Sequence, residues 1–149
     1  MLPELATKQV SVFLENKAGR LADVCRLLGA YGINLRAFST ADTAQFGILR
    51  MIASDPDRAS GVLEAAGYAV RQSTVLVVVI EDRPGELARA LGILADEGVN
   101  VEYLYAFAAP TRGEALVVMR VLDDVLERSI SLLQASGFAI TPAERAYTL

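Results

Sequence analysis

Residues 10–35, VSVFLENKAGRLADVCRLLGAYGINL, and residues 76–101, LVVVIEDRPGELARALGILADEGVNV, are two versions of one segment. An offset of 66 places Gly19 on Gly85, Leu21 on Leu87, Ala22 on Ala88, Leu28 on Leu94, Gly32 on Gly98 and Asn34 on Asn100. Further along the offset becomes 70, where Arg50 meets Arg120 and Gly67-Tyr68 meets Gly137-Phe138. The second copy therefore carries four extra residues between its second and third strands, around Ala109-Pro110-Thr111-Arg112-Gly113. A repeat of about 70 residues exceeds the roughly 20–50 of a solenoid unit. It is a duplicated small domain, with expected boundaries 1–73 and 74–149.

Each copy spells the same order of elements. A strand rich in β-branched residues (Val10–Glu15, Val75–Glu81) breaks at a polar loop ending in glycine, Asn16-Lys17-Ala18-Gly19 or Asp82-Arg83-Pro84-Gly85. A helix follows in each. Leu21, Val24, Cys25 and Leu28 recur at helical spacing in the first, and Leu87, Ala90, Leu91 and Leu94 in the second. Gly32 and Gly98 end those helices, and a second strand starts at Ile33 or Val99. In the second copy alternation puts Val99, Val101, Tyr103, Tyr105 and Phe107 on one face. A third strand (Phe46–Ala53, Ala115–Val121), a second helix and a closing strand after Gly67 or Gly137 complete each copy. Asp55-Pro56 is a cap and first-turn signal for the helix of copy one. Strand-helix-strand-strand-helix-strand, twice, predicts two ferredoxin-like βαββαβ sandwiches in tandem, an α+β fold with one sheet face of each covered by helices.

Composition narrows the function. Folding buries roughly 68–70% of the surface of one 150-residue unit but only about 60% for a unit near 60 residues. Each half alone is marginal, so the halves are expected to pack on one another or on a second chain. A 53% apolar content and a mean hydropathy of +0.37 point the same way. The net charge is −4, without a Lys/Arg cluster, which argues against nucleic acid, where phosphate neutralisation dominates affinity. No apolar run approaches membrane-spanning length and the N-terminus lacks signal-peptide features, so a cytoplasmic protein is expected. There is one cysteine and no histidine, hence no obvious general base and no metal-ligand pattern. Cys25 reads as helix core. No cofactor motif is present, and an enzyme is not expected.

The strand–helix loops are the sharpest candidates for function. Backbone N–H groups at a helix start suit a carboxylate, and Gly19 or Gly85 lets a ligand approach the backbone. A plain turn between strand and helix would look the same. Lys17 and Arg20 flank the first loop, while Asp82 and Glu86 flank the second. Were the copies side by side, these opposite charges would meet across the seam and hold both ends of a zwitterion; the alternative is four solvated charges. Asn34 and Asn100 suit either a ligand contact or a backbone cap. Tyr103, Tyr105 and Phe107 could line a pocket or pack between sheets. Gly47, in the third strand beside Ile48, is consistent with close approach of a ligand or backbone, and Gly47 and Ile48 are both candidate contacts.

Asp82-Arg83-Pro84-Gly85-Glu86-Leu87, a helix, and then Gly98-Val99-Asn100-Val101 resemble the ACT domain signature, D-x-P-G-x-L followed by G-x-N and an apolar strand. The first copy resembles it with Asn16 in the Asp position and Ala18 in place of Pro. The resemblance spans residues 9–144 and is to a free-standing tandem ACT protein. It implies a regulatory protein that binds a free amino acid between domains, using the first loop of one and the second strand of its neighbour. Carried over by position, it nominates Asn16, Lys17, Gly19, Arg20, Leu21 and Asn34 in copy one. In copy two it nominates Asp82, Pro84, Gly85, Glu86, Leu87 and Asn100. A homodimer is the expected assembly. The rival expectation is an adaptor that docks on a metabolic enzyme through its sheets and binds no small ligand.

Overall fold

The computed structural model describes residues 2–42, 46–108 and 112–149. A short helix α1 (Leu2–Leu5) leads into β1 (Thr7–Glu15), α2 (Arg20–Ala30), β2 (Leu35–Asp42), β3 (Phe46–Ala53) and α3 (Pro56–Ala65). Then come β4 (Ala69–Glu81), α4 (Glu86–Asp96), β5 (Tyr103–Ala106), β6 (Glu114–Arg120), α5 (Asp123–Ala135) and α6 (Ala143–Thr148). The duplicated α+β pattern is present, and helices cover one face of each half's antiparallel sheet. Asp55 caps α3 as its sequence suggests, its carboxylate accepting from Arg58 N at 3.2 Å with Pro56 opening the helix. None of the helices among the described residues is long and apolar enough to cross a membrane.

The two halves share a strand. The closing strand of copy one and the opening strand of copy two are one 13-residue element, β4, so the expected boundary at 73/74 falls inside it. Its first part pairs with β1 (Ala69↔Phe13 to Val75↔Thr7), and its second with β6 (Leu76↔Met119 to Glu81↔Glu114). The sheet order is β2-β3-β1-β4-β6-β5, antiparallel throughout. Its outer strands meet at the bridge Ala37↔Phe107, supported by Ala108 N donating to Arg36 O at 3.0 Å.

That curl closes the sheet faces the helices leave bare. Val10, Val12 and Leu14 point from β1 toward α2 and α3, while Leu76, Val78 and Ile80 point from β4 toward α4 and α5. The opposite faces turn toward each other. Ile52 and Ala37 of the first half meet Tyr105, Phe107, Leu116 and Val118 of the second, with Val75 and Val77 of the shared strand between them. Part of the surplus of apolar residues is thus used within one chain.

Several expectations are revised. The closing strand of copy two is reduced to the bridge Val78↔Ile140, on the edge of β4 that β1 pairs with at residues 69–75. Strand β5 starts only at Tyr103, so the alternation anticipated from Val99 does not hold. Val99 and Val101 join the helix-side core, whereas Tyr103, Tyr105 and Phe107 pack between the sheets. Cys25 is exposed, not core. The buried stripe of α2 is centred on Val24 and Leu28 with Leu27 alongside, which leaves Leu21 and Cys25 on the outer flank. Helices α1 and α6 were not foreseen, and α6 places Ala146 in the inter-sheet core. Of the stretch around the four-residue insertion, Ala109, Pro110 and Thr111 lie outside the described residues; Arg112 and Gly113 are exposed beside β6.

Candidate functional site

The first loop forms one wall of a cleft of about 180 Å³. Strand β1 ends at Glu15, the chain turns through Asn16–Ala18, and Gly19 at φ +89° starts α2. A left-handed backbone there favours glycine, and a Cβ on Gly19 would touch nothing within 4 Å, so conformation rather than packing selects it. Asp23 N donates to Gly19 O at 2.9 Å, the first bond of the helix. The N–H groups of Leu21 and Ala22 therefore have no intrahelical acceptor, and glycine supplies no side chain to cap them. They are partial positive charges at the start of an 11-residue helix.

Six of the sequence-nominated residues line this cleft together: Asn16, Lys17, Arg20, Leu21, Gly47 and Ile48. Gly19 sits in the same loop. Register explains the convergence, since Glu15 pairs with Phe46, Leu14 with Gly47, and Gly47 with Asp42 at the end of β2. Leu14, Glu15, Thr40 and Ala41 complete the lining and were not nominated from sequence. A Cβ at Gly47 would lie 4.0 Å from Ala41 O, an ordinary contact, so packing within the chain does not demand glycine there.

Charge is arranged in exchangeable pairs. Lys17 Nζ lies 2.8 Å from Glu15 Oε2, and Arg20 Nη2 lies 4.0 Å from Glu15 Oε1. The Lys17 hydrogen bond, then the Lys17 and Arg20 charges, hold the Glu15 carboxyl below its ordinary range. Both partners are solvent-exposed, so such a pair contributes little to stability and is easily exchanged for a ligand.

The second loop has the same backbone, with Gly85 at φ +88° starting α4 and Asp82, Pro84 and Leu87 exposed around it. Its side-chain chemistry is inverted. Glu86, in the position of Arg20, is buried at 7% exposure. Arg89 Nη2 and Arg83 Nη2 each lie 3.2 Å from its carboxylate. Hydrogen bonding from Arg89 lowers the Glu86 pKa, burial opposes that, and the Arg83 and Arg89 charges add to the lowering. Arg89 also stacks on Phe138, 4.1 Å from the ring centroid. The acid at this helix start is already matched by the protein's own cations.

The expectation that Lys17 and Arg20 meet Asp82 and Glu86 is not met within the chain. The first loop adjoins the Ala69 end of β4 and the second leaves its Glu81 end, roughly 40 Å of strand apart. The charges Lys17, Arg20 and Glu86 pair inside their own loops instead. Asn34 lies at the far end of β2 from the cleft, where its N–H donates to Ser54 Oγ (2.9 Å) and its Oδ1 accepts from Leu35 N (2.9 Å). Asn100 lies at the corresponding far end of the second half, its Nδ2 donating to Glu102 Oε2 at 2.8 Å. Both asparagines have local partners away from the loops.

Comparison with known proteins agrees with this architecture. A family model described as an ACT domain pair matches residues 5–140. A protein of known structure from Bacteroides thetaiotaomicron is 40% identical, covering 97% of this chain and 98% of its own, with a TM-score of 0.89. The ligand-free regulatory subunit of aspartate kinase from Thermus thermophilus is 17% identical, covering 91% of this chain and 95% of its own, with a TM-score of 0.66. The corresponding subunit from Thermus flavus is 17% identical over 89% and 93%, with a TM-score of 0.61. At that identity the two subunits speak for the fold alone. A search of curated proteins finds no match.

Proposed function

The chain belongs to the ACT domain family, as a pair of ACT domains in one polypeptide, and on that premise we propose that it is a non-catalytic regulatory protein that binds a free amino acid at its first loop. One observation carries this: the cleft of the first half joins an uncapped helix start, two cations and one carboxylate around a space of about 180 Å³. Drug-sized ligands occupy roughly 300–1,000 Å³, so this space suits something smaller. The ligand carboxylate would take the Leu21 and Ala22 N–H groups with Lys17 or Arg20, and Glu15 would take the ammonium. The second loop, with Glu86 already paired, would not bind in the same way.

A second copy of the chain is expected against the same face. Leu21 and Phe38 are 47% and 52% exposed, and among the described residues the outer edge of β2 beyond Ala37 carries no strand. A neighbour there would close the cleft and couple ligand binding to assembly, provided the ligand prefers one arrangement. The same patch would serve an adaptor docking on a metabolic enzyme, and ligand binding separates the two. The test is thermal unfolding of the purified protein against each of the twenty amino acids. A ligand this small is worth roughly 5–8 kcal/mol. At about 100 times Kd it would stabilise by ~2.7 kcal/mol, a shift of roughly 5–10 °C. A shift confined to one or two amino acids supports the sensor; a flat panel at millimolar ligand overturns it in favour of the adaptor.

A further inference from the structure

A second cleft, of about 280 Å³, opens between the two halves and is built from arginines. Its floor follows from strand register. Ser11 of β1 lies between Arg50 of β3 and Arg71 of β4, its cross-strand partners on either side. Strands are spaced by about 4.8 Å, so the two arginine backbones stand only about 10 Å apart on the same sheet face, with a buried serine between them. The second half supplies Tyr103 and Arg120, which are themselves cross-strand partners.

Two of the three guanidinium groups, those of Arg50 and Arg71, are placed but not neutralised among the described residues. Arg50 is stacked over the Tyr103 ring, 3.8 Å from its centroid, and has no ion pair among the described residues. The Arg71 guanidinium has neither a hydrogen bond nor an ion pair among them. Arg120 is anchored through Nη1 alone, to Thr74 O at 2.7 Å and Asp123 Oδ1 at 2.8 Å. The one acid in the lining, Glu102, already accepts from Asn100. Three cations and one carboxylate thus line the cleft, and only Arg120 has an acid of its own outside the lining, Asp123, in a chain whose net charge is −4. Like charges this close repel one another unless an anion sits between them, and a planar guanidinium fork matches a carboxylate or phosphate face.

We propose that this cleft is a site for a small dianion with oxyanion groups, a phosphate or a short dicarboxylate, held by Arg50, Arg71 and Arg120 across the junction of the two halves. It is separate from the first loop, and because its lining comes from both halves, its ligand would clamp them together.

The test is calorimetric titration of the full chain with inorganic phosphate and, separately, succinate, with sodium chloride at matched ionic strength as control. One of the two dianions should bind saturably at one site per chain while chloride does not. Arg71→Gln should weaken it at least tenfold without lowering the unliganded melting temperature, because Arg71 is exposed and its guanidinium has no hydrogen bond or ion pair to lose. Glu102→Gln should tighten it, and Lys17→Met at the first loop should leave it unchanged. Phosphate binding would assign a phosphate or phosphoester ligand, and succinate binding a dicarboxylate. Absence of binding by both at 10 mM, on the order of the weakest affinity a useful site would have, overturns the proposal. So does equal affinity in Arg71→Gln, or equal displacement by chloride.

Discussion

Replacing Tyr105 by Phe removes one oxygen from the junction of the halves and should be felt globally. Gln9 is fully buried on β1, in the first half. Its Oε1 accepts from the Tyr105 hydroxyl at 2.6 Å, and its Nε2 donates to Tyr103 Oη at 2.6 Å. Both tyrosines belong to β5, in the second half. Tyr105 is itself 8% exposed, and burial raises its pKa above the usual phenol value, so the hydroxyl is a neutral donor at neutral pH. Tyr105→Phe leaves Gln9 Oε1 buried without a donor, which costs about 1–3 kcal/mol. For a chain this size that is a fall of roughly 2–12 °C in melting temperature. Gln9→Met should cost a similar amount by orphaning the Tyr105 hydroxyl. Replacing both partners by apolar groups of similar shape is nearly neutral, so Gln9→Met with Tyr105→Phe should beat the sum of the singles by about 1 kcal/mol or more. Urea unfolding with a common m-value reads all four corners of the cycle. Additive singles, or a Tyr105→Phe cost below about 0.3 kcal/mol, would mean that water or another group satisfies Gln9 and that this contact does not join the halves.

Further outcomes follow from the loops. Gly19→Ala should cost about 1–2 kcal/mol from its φ of +89° alone, whereas Gly47→Ala should leave the urea midpoint nearly unchanged and still weaken amino-acid binding, because its Cβ enters the cleft. Glu86 has a folded pKa below its ordinary 4.5, so its contribution is complete above that pH and is lost as pH falls through the folded value. Glu86→Gln should therefore lower stability at neutral pH and flatten the acid side of the stability curve; parallel curves for the two proteins would refute the pairing with Arg89 and Arg83. Cys25 is exposed and should react fully with a thiol reagent in the native protein, and a reaction seen only after unfolding would contradict the placement of α2.

How far the sequence could be read depended on whether a feature is local. The repeat, the Asp55 cap of α3 and the helix start after the Gly19 loop depend on neighbours within a few residues, and they appear as expected. The cleft was half legible. Lys17, Arg20 and Leu21 stand out through the loop motif and Gly47 through its strand context, but Glu15, Thr40 and Ala41 join only through the pairing of β1, β3 and β2. What failed was long-range. Nothing in the order of residues says that two repeats share one strand, yet that sharing separates the two loops by the length of β4. The matched pair Arg50 and Arg120 was visible as a repeat marker, but its convergence on Arg71 comes only from the curl of the sheet. Cys25 fits a helical stripe by spacing, and only the tilt of α2 on the sheet decides which flank is buried.

The claim that an amino acid binds at the start of α2 is tested most directly by backbone amide NMR. The labelled protein would be titrated with whichever amino acid gives the largest thermal shift. The predicted result is a saturable downfield movement of the Leu21 and Ala22 amides with changes at Lys17 and Gly47, while Leu87 and Ala88 stay in place. Movement at Leu87 and Ala88 with Leu21 and Ala22 unaffected would place the ligand at the other loop and contradict the account.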